Sequence, residues 1–410
     1  MSALFQHLAL GFSVALSLHN LLYCLIGCVL GTLIGVLPGI GPVPTIAMLL
    51  PLTFNLPPVG ALIMLAGIYY GAQYGGSTTS ILVNLPGESS SVVTCLDGYQ
   101  MARQGRAGPA LAIAAIGSFF AGTVGTLLIA LFGPPLAEIA LDFGAPEYFS
   151  LMVLGLLMAV VLSHGSVLKA IAMILLGLLL GLVGTDVNSG MQRFTFNVAE
   201  LTDGIEVVGV ALGLFGIAEI MSNLEQKEHR EVFVKKVKGL MPTKEDLKRA
   251  FWPIIRGTAI GVGIGILHGA AAVIASFSSY TLEKKLSKHP EQFGKGAIEG
   301  VAGPESANNA AAQCSFIPML TLGIPTGAVM ALMVGAMTIQ GIAPGPQVMT
   351  QKPDLFWGMI ASMWIGNAML VILNLPLVGM WVQFLKIPYR LLFPGITLFI
   401  CVGAYSIPIL

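Results

Sequence analysis

Apolar residues run along this chain in long, closely spaced blocks. They fall near residues 8–18, 21–36, 43–53, 60–75, 109–132, 148–163, 166–184, 205–218, 251–267, 269–281, 315–341, 355–385 and 391–410. The first formal charge is Glu88, so 87 residues pass without Asp, Glu, Lys or Arg. Further uncharged runs lie between Glu305 and Lys352 and between Asp354 and Lys386. Each exceeds the roughly 20 residues that one membrane helix needs. The pattern predicts an all-α polytopic membrane protein, with the 355–385 block interrupted near Asn374-Leu375-Pro376.

A finer pattern marks one stretch. Gly27, Gly31, Gly35 and Gly39 recur every fourth residue, on one helical face where backbones can pack closely. That face runs into Leu37-Pro38-Gly39-Ile40-Gly41-Pro42, whose prolines and glycines predict a break in the helix. Broken backbone at membrane depth is tolerated only where protein buries it or where it lines a cavity. The second half echoes both features. Gly257, Gly261, Gly265 and Gly269 repeat the stripe, and Gly31-Thr32-Leu33-Ile34-Gly35-Val36 resembles Gly257-Thr258-Ala259-Ile260-Gly261-Val262. The break, Gly35-Val36-Leu37-Pro38-Gly39, resembles Gly265-Ile266-Leu267-His268-Gly269. These two matches differ in register by four residues, so the second copy is expected to carry one extra turn.

In each half a small polar cluster and a proline turn follow. The first is Ser77-Thr78-Thr79-Ser80 with Asn84-Leu85-Pro86-Gly87-Glu88; the second is Glu305-Ser306-Ala307-Asn308-Asn309 with Leu322-Gly323-Ile324-Pro325-Thr326-Gly327. Internal duplication with paired interrupted helices is the organisation of secondary transporters.

Charge adds orientation. Glu225 to Arg249 holds eight Lys/Arg and five Asp/Glu, and its positive excess predicts a cytoplasmic position. It divides the chain into a first transmembrane half (1–224), a charged linker (225–250) and a second transmembrane half (251–410). After the first break the connection is uncharged, whereas after the second it is the basic run Glu283 to Lys295. After the polar clusters the bias reverses, with Arg103 and Arg106 in half one and Lys352 offset by Asp354 in half two. That exchange predicts two inverted-topology repeats. Between Arg256 and Lys284 there is too little chain for two crossings, which take about 40 residues. Re-entrant helical hairpins are expected, with tips near His268-Gly269 and, by symmetry, Pro38-Gly39.

Composition agrees. The chain is 55% hydrophobic and 10% charged, against about 25% charged in soluble domains, with a mean hydropathy of +0.85. Glycine supplies 50 of 410 residues, well above the usual ~7%. Net charge is zero and there is no basic tail, so nucleic acid is not an expected partner. The N-terminus carries no Lys or Arg and no small-residue cleavage site, unlike a removable signal peptide. Five scattered cysteines complete no metal site. His164 is expected in a short turn between helices.

Broken helices expose unpaired N–H and C=O groups, which favour anions and cations respectively. Hydroxyl and amide groups beside them can complete a Na⁺ shell or bond a carboxylate without burying a charge. Candidate substrate- and ion-binding residues are therefore Pro38, Gly39, Gly41, Ser77, Thr78, Thr79, Asn84, Pro86, Gly87, Ser306, Asn308, Asn309, Pro325, Thr326 and Gly327. The same residue types also serve as interhelical glue. Glu88, Glu299 and Glu305 are candidate proton or sodium sites, or else lie at water-exposed ends of segments. His268 takes the proline position of the second break, either titrating near neutral pH or packed as a neutral ring. Neither G-x-S-x-G nor H-E-x-x-H occurs, and there is no Walker A motif, so an enzyme or a P-loop ATPase is not expected. A passive channel remains as an alternative, without an evident charged ring.

Several motifs resemble one family. They are GTLIGVLPGIGP, the run from Ala66 to Thr79, the run from Gly294 to Ala302 with Pro304 to Ala310, and Thr321-Leu322-Gly323-Ile324-Pro325 with Gly341-Ile342-Ala343-Pro344-Gly345-Pro346. Together they are similar to the large membrane subunit of the tripartite tricarboxylate transporters, over nearly the whole chain. The resemblance implies a multi-pass permease of the bacterial inner membrane. It would import an organic carboxylate such as citrate on a Na⁺ or proton gradient, without ATP or another cofactor. Its implied partners are a small membrane subunit and a periplasmic solute-binding protein. Two departures stand out. The second break reads Leu267-His268-Gly269-Ala270-Ala271 where the family has Pro-Gly-x-Gly, and the chain ends at Leu410 where relatives continue. A transport-inactive, shortened homologue is the corresponding alternative.

Overall fold

The computed structural model describes residues 2–37, 41–161, 166–186, 189–205, 209–210, 212–218, 221, 239–267, 271–385, 394, 397–398 and 401. Both predicted hairpin tips, Pro38-Gly39 and His268-Gly269, lie outside the described residues, as do His164 and residues 225–238 of the charged linker. In the first half the helices are α1 (Ser2–Ala15), α2 (Leu18–Gly35), α3 (Pro42–Leu49), α4 (Pro58–Val83), α5 (Val92–Arg103), α6 (Ala107–Leu141), α7 (Ala145–Val161) and α8 (Val167–Gly181). A two-residue antiparallel pair follows, β1 (Gly184–Thr185) with β2 (Gln192–Arg193). The second half holds α9 (Lys244–Gly265), α10 (Ala271–Leu286), α11 (Glu299–Cys314), α12 (Phe316–Leu322), α13 (Ala328–Ile339), α14 (Gln347–Gln351), α15 (Pro353–Asn374) and α16 (Val378–Phe384). The protein is an all-α membrane protein. Among the described residues, α2, α6 and α15 are long and apolar enough to cross a bilayer. The interruption expected near Asn374 falls between α15 and α16.

The glycine stripes set close packing in two helix pairs. A Cβ on Gly27, Gly31 or Gly35 of α2 would stand 2.2, 2.3 or 2.5 Å from the carbonyl oxygens of Met64, Ile68 and Ala72 of α4. On α9, a Cβ at Gly257, Gly261 or Gly265 would stand 2.2, 2.3 or 2.7 Å from the carbonyl oxygens of Gly303, Ala307 and Ala311 of α11. Only hydrogen fits there, and the bare backbones gain dispersion and Cα–H···O contacts.

These contacts fix the register of the duplication. The first strip of each half is offset by 230 (257 − 27) and the partner helix by 239 (307 − 68). The break match, Gly35 with Gly265, is therefore the structural one. The four residues by which α9 (22 residues) exceeds α2 (18 residues) lie at its beginning, away from the break. Offset 239 also pairs Asn84 with Gly323 and Pro86 with Pro325. Asn84 (φ 57°) and Gly323 (φ 73°) both end their helices in the left-handed region.

The polar clusters, by contrast, are not copies of one another. Ser77–Ser80 falls opposite Phe316–Met319 in this register, and Ser306–Asn309 opposite Gly67–Tyr70. Nor does the first cluster break its helix. The hydroxyls of Thr78 and Ser80 donate to the carbonyls of Tyr74 and Gly76 at 3.2 and 2.9 Å, and those of Ser77 and Thr79 stand 3.1 and 3.2 Å from the carbonyls of Gln73 and Gly75. The cluster therefore sits within an unbroken helix, and α4 continues to Val83.

The second glycine helix and α10 form a hairpin. Arg256 of α9 meets Glu283 of α10 through two hydrogen bonds, Nε to Oε1 at 2.8 Å and Nη2 to Oε2 at 2.5 Å. The chain between them therefore goes out and returns. The start of α9 lies within the 225–250 segment and is capped reciprocally: Asp246 N–H donates to Thr243 Oγ1 and Thr243 N–H to Asp246 Oδ2, both at 3.1 Å. The halves are also tied crosswise. Gln104, at the end of α5, donates to the Lys295 carbonyl at 2.7 Å; Gln340, at the end of α13, donates to the Thr53 carbonyl at 3.0 Å. Ile46, Leu62, Leu65, Ile68, Phe316, Phe356 and Trp357 fill the core between them, while α8 has no buried residue.

Candidate functional site

A cavity of about 190 Å³ opens between the two halves. Three helix starts border it: Pro42 and Val43 of α3, Ala271 to Val273 of α10, and Thr326 to Met330 at the head of α13. Tyr69 and Gln73 of α4, the Glu88–Ser90 turn, Ala311, Ala312 and Ser315 complete the wall. Equivalent positions recur on the two sides. With offset 230, Pro42 and Val43 answer to Ala272 and Val273; with offset 239, Gln73 answers to Ala312 and Glu88–Ser90 to Gly327–Val329.

Helix starts carry unpaired N–H groups and the positive end of the helix dipole. Pro42 and Pro44 remove two donors from α3, which leaves the Val43 N–H at the cavity beside the α10 and α13 starts. Gly41, buried and at φ 65°, forms the N-cap of α3. Glu88, half-buried, also lines the cavity, and its Oε1 accepts from Ser90 Oγ at 2.5 Å and from Asn308 Nδ2 at 3.1 Å. The cavity wall thus carries helix starts and one carboxyl group together.

A second, smaller chamber of about 10 Å³ lies between α4, α6, α11 and α15, lined by Tyr74, Ser77, Thr78, Ser118, Glu305 and Asn374 among others. Glu305 is 1% exposed. Its Oε2 accepts from Ser77 Oγ at 2.6 Å and its Oε1 from the Thr94 hydroxyl. The two polar clusters, although unrelated by the repeat, therefore meet through Ser77 and Glu305.

The sequence-derived residues divide among several places. Glu88, Thr326 and Gly327 line the larger cavity, and Asn308 holds Glu88. Ser77, Thr78 and Glu305 line the smaller one. Thr79 ties α4 to α2 beside the first break, donating to the Val36 carbonyl at 2.6 Å. Asn309 donates to Ser118 Oγ at 2.7 Å, and Ser306 to the Ala302 carbonyl at 2.8 Å within its own helix. Gly87 is buried, and a Cβ on it would stand 2.3 Å from Gly76 Cα. Asn84 is exposed, and Pro86 and Pro325 are half-buried in their turns. Glu299 is at neither cavity: Arg249 grips it through Nε and Nη2 at 2.7 and 2.8 Å. Pro38, Gly39 and His268 lie outside the described residues.

Some contributors were not singled out by the sequence reading. Tyr69, Gln73 and Ser315 line the larger cavity, and Tyr74 and Asn374 the smaller. The available signal was a glutamine within the apolar 60–75 block. Asp97 is a further omission. It is buried and accepts from the backbone N–H groups of Gly294, Gly296 and Ala297 at 2.9, 2.8 and 2.8 Å and from Tyr280 Oη at 2.9 Å. It thereby clamps the loop before α11 onto α5.

Residues 21–409 match the sequence profile of the Tripartite tricarboxylate transporter TctA family. A protein of Agrobacterium vitis described as "Uncharacterized 52.8 kDa protein in TAR-I ttuC' 3'region" is 65% identical over 407 residues, 99% of this chain and 81% of that protein. Another from Agrobacterium vitis, "Uncharacterized protein in TAR-II ttuC' 3'region", is 68% identical over 144 residues, 35% of this chain and 60% of that protein. No solved structure matches the chain.

Proposed function

This chain belongs to the tripartite tricarboxylate transporter TctA family, and from that premise we propose that it is the permease subunit moving an organic carboxylate through the cavity between its halves. The reading places it in the bacterial inner membrane, with the halves inverted and the two breaks re-entering from opposite sides. A Na⁺ or proton gradient drives import. A small membrane subunit and a periplasmic binding protein deliver the carboxylate.

The observation that supports it best is the meeting of three helix starts at one cavity bordered by equivalent positions of both repeats. A carboxylate there gains backbone N–H donors and favourable dipoles without a buried cation. Alternating access also needs a site that both repeats border, so that rocking one against the other opens it to either side. Glu88 shapes selectivity: an ionised ligand group belongs at the α10 and α13 starts, and a hydroxyl or other donor belongs at Glu88.

Uptake of labelled carboxylates into cells, with and without the two partners and under imposed Na⁺ and proton gradients, tests the reading. Gradient-driven uptake is the expected result. Its absence with all partners present would remove the transporter claim, and a substrate-independent current would make the protein a channel. A carboxylate introduced at the α13 start by Gly327→Asp should lower uptake at least about tenfold, because one like charge there opposes the anion by more than ~1.4 kcal/mol.

A further inference from the structure

The open end of the α9–α10 hairpin carries more positive charge than the fold uses. Three arginines there are engaged by carboxylates: Arg256 by Glu283, Arg249 by Glu299 and Arg106 by Asp246. The lysines are not. Lys244 and Lys248 of α9, Lys284 and Lys285 of α10, and Lys288 and Lys295 beyond it are all exposed. Among the described residues none of them forms an ion pair. The exposed carboxylates of these segments are Glu245 and Glu291, and His289 stands 3.3 Å from Glu291. Residues 225–238, just before α9, hold five Lys/Arg and three Glu, so they add to the surplus and do not cancel it. Lys244 also lies in the first turn of α9, where the helix dipole disfavours a cation. Its own helix therefore gives no reason for its charge.

Large apolar side chains stand exposed at the same end. Trp252 is 59% and Phe251 55% exposed, their rings edge to face at 5.5 Å, and Leu247 and Leu286 are exposed as well. The opposite side of the α9 start, with Asp246, Ala250, Pro253 and Ile254, is buried. On the exposed side Lys244, Lys248 and Trp252 follow one another every fourth residue. Four residues place Lys248 about 6 Å above Trp252, which matches the ~5–8 Å headgroup layer on each side of a bilayer. A lysine head one such layer above a tryptophan ring is an interfacial arrangement. An acidic protein or a nucleic acid would engage the lysines and leave the rings in water. A zwitterionic membrane would take the rings and leave the lysines uncompensated. An anionic bilayer surface satisfies both. We infer that the open end of this hairpin is a binding surface for anionic phospholipid headgroups, with Lys244, Lys248, Lys284, Lys285 and Lys288 meeting the phosphates and Trp252 and Phe251 seated at the acyl boundary. At the other end of α10, Ala271 to Val273 wall the carboxylate cavity. The lipid thus holds the base of an element whose far end borders that cavity. Any effect on uptake rests on the transport reading above; the binding of lipid does not.

Electron-spin-resonance spectra of spin-labelled phosphatidylglycerol and phosphatidylcholine, with the full chain in phosphatidylcholine vesicles, test the surface. Wild type should hold phosphatidylglycerol in preference by about threefold or more, and salt near ~1 M should erode that preference. The combined change Lys244→Gln, Lys248→Gln, Lys284→Gln, Lys285→Gln and Lys288→Gln should remove roughly half of it or more. Lys352→Gln, before α15, should leave it unaltered. The fluorescence lost in Trp252→Phe is the signal of that tryptophan, and brominated acyl chains should quench it. No preference in wild type, a preference indifferent to the five-lysine change, or a Trp252 signal that brominated chains leave untouched overturns the surface. Should the five-lysine variant fail to fold, the salt dependence of wild type and the Trp252 signal decide the matter. A salt-sensitive preference without carboxylate uptake upholds the surface and refutes the transport reading. Uptake without the preference does the reverse.

Discussion

Single side chains that reach from one element to another hold this structure together, and two such ties make separable predictions. Glu283 is 2% exposed, while its partner Arg256 reaches the edge of the protein, with about a third of its side chain exposed (34%). Arg256→Gln would leave a nearly buried carboxylate without its cation. Removing a partner from a fully buried pair costs ~3–5 kcal/mol, and the exposure of Arg256 lowers this to about 1–3 kcal/mol. A lower thermal-unfolding midpoint is expected, with part of the loss regained in the Arg256→Gln, Glu283→Gln double variant. Asp97→Ala strips acceptors from three backbone N–H groups and the Tyr280 hydroxyl, a loss of about 3 kcal/mol or more. Asp97→Asn keeps one acceptor oxygen and should lose less. Thermostability of detergent-solubilised protein measures both. A sequence scan for broken helices had no means of finding Asp97, because its partners are backbone groups 197 to 200 residues away.

At the scale of elements, glycine position within one helix decides packing. On α9 a Cβ at Gly261 would meet the Ala307 carbonyl at 2.3 Å, whereas one at Gly263 meets nothing within 4 Å. Gly261→Ala should destabilise the α9–α11 pair by roughly 1–3 kcal/mol through overpacking. Gly263→Ala, two residues away, should be neutral or stabilising by about 0.5–1 kcal/mol because alanine favours the helix. Equal effects at the two sites would refute the stripe as the packing seam. The stripe was legible because close approach demands glycine at a fixed spacing, and that demand is written in the sequence. The polar clusters were less so. Their hydroxyls look alike whether they break a helix or bond back four residues within it, and only the backbone distinguishes the two cases. Hence the apparent match of Ser77–Ser80 to Ser306–Asn309 dissolved once the glycine contacts fixed the register.

For the whole molecule, two similarly packed helix pairs border one cavity. Two packed pairs, α2 with α4 and α9 with α11, each stop their glycine helix short and restart it at the cavity wall. Neither half alone surrounds that space. The cross-ties repeat the relation: Gln104 of one half holds the loop before α11, and Gln340 of the other holds the loop before α4. If the repeats are inverted, these equivalent ties belong at opposite membrane faces. Arg103 and Thr338 are exposed beside them, so single cysteines there report the two faces. The background must be cleared of the native thiols, of which Cys401 is exposed and Cys95 partly so. Arg103→Cys should then react with an impermeant thiol reagent from the cytoplasmic side only, as the basic residues near it require. Thr338→Cys should react from the periplasmic side only. Labelling of both from one side would show parallel halves, and the cavity would then lack the symmetry that lets one site open alternately to each side.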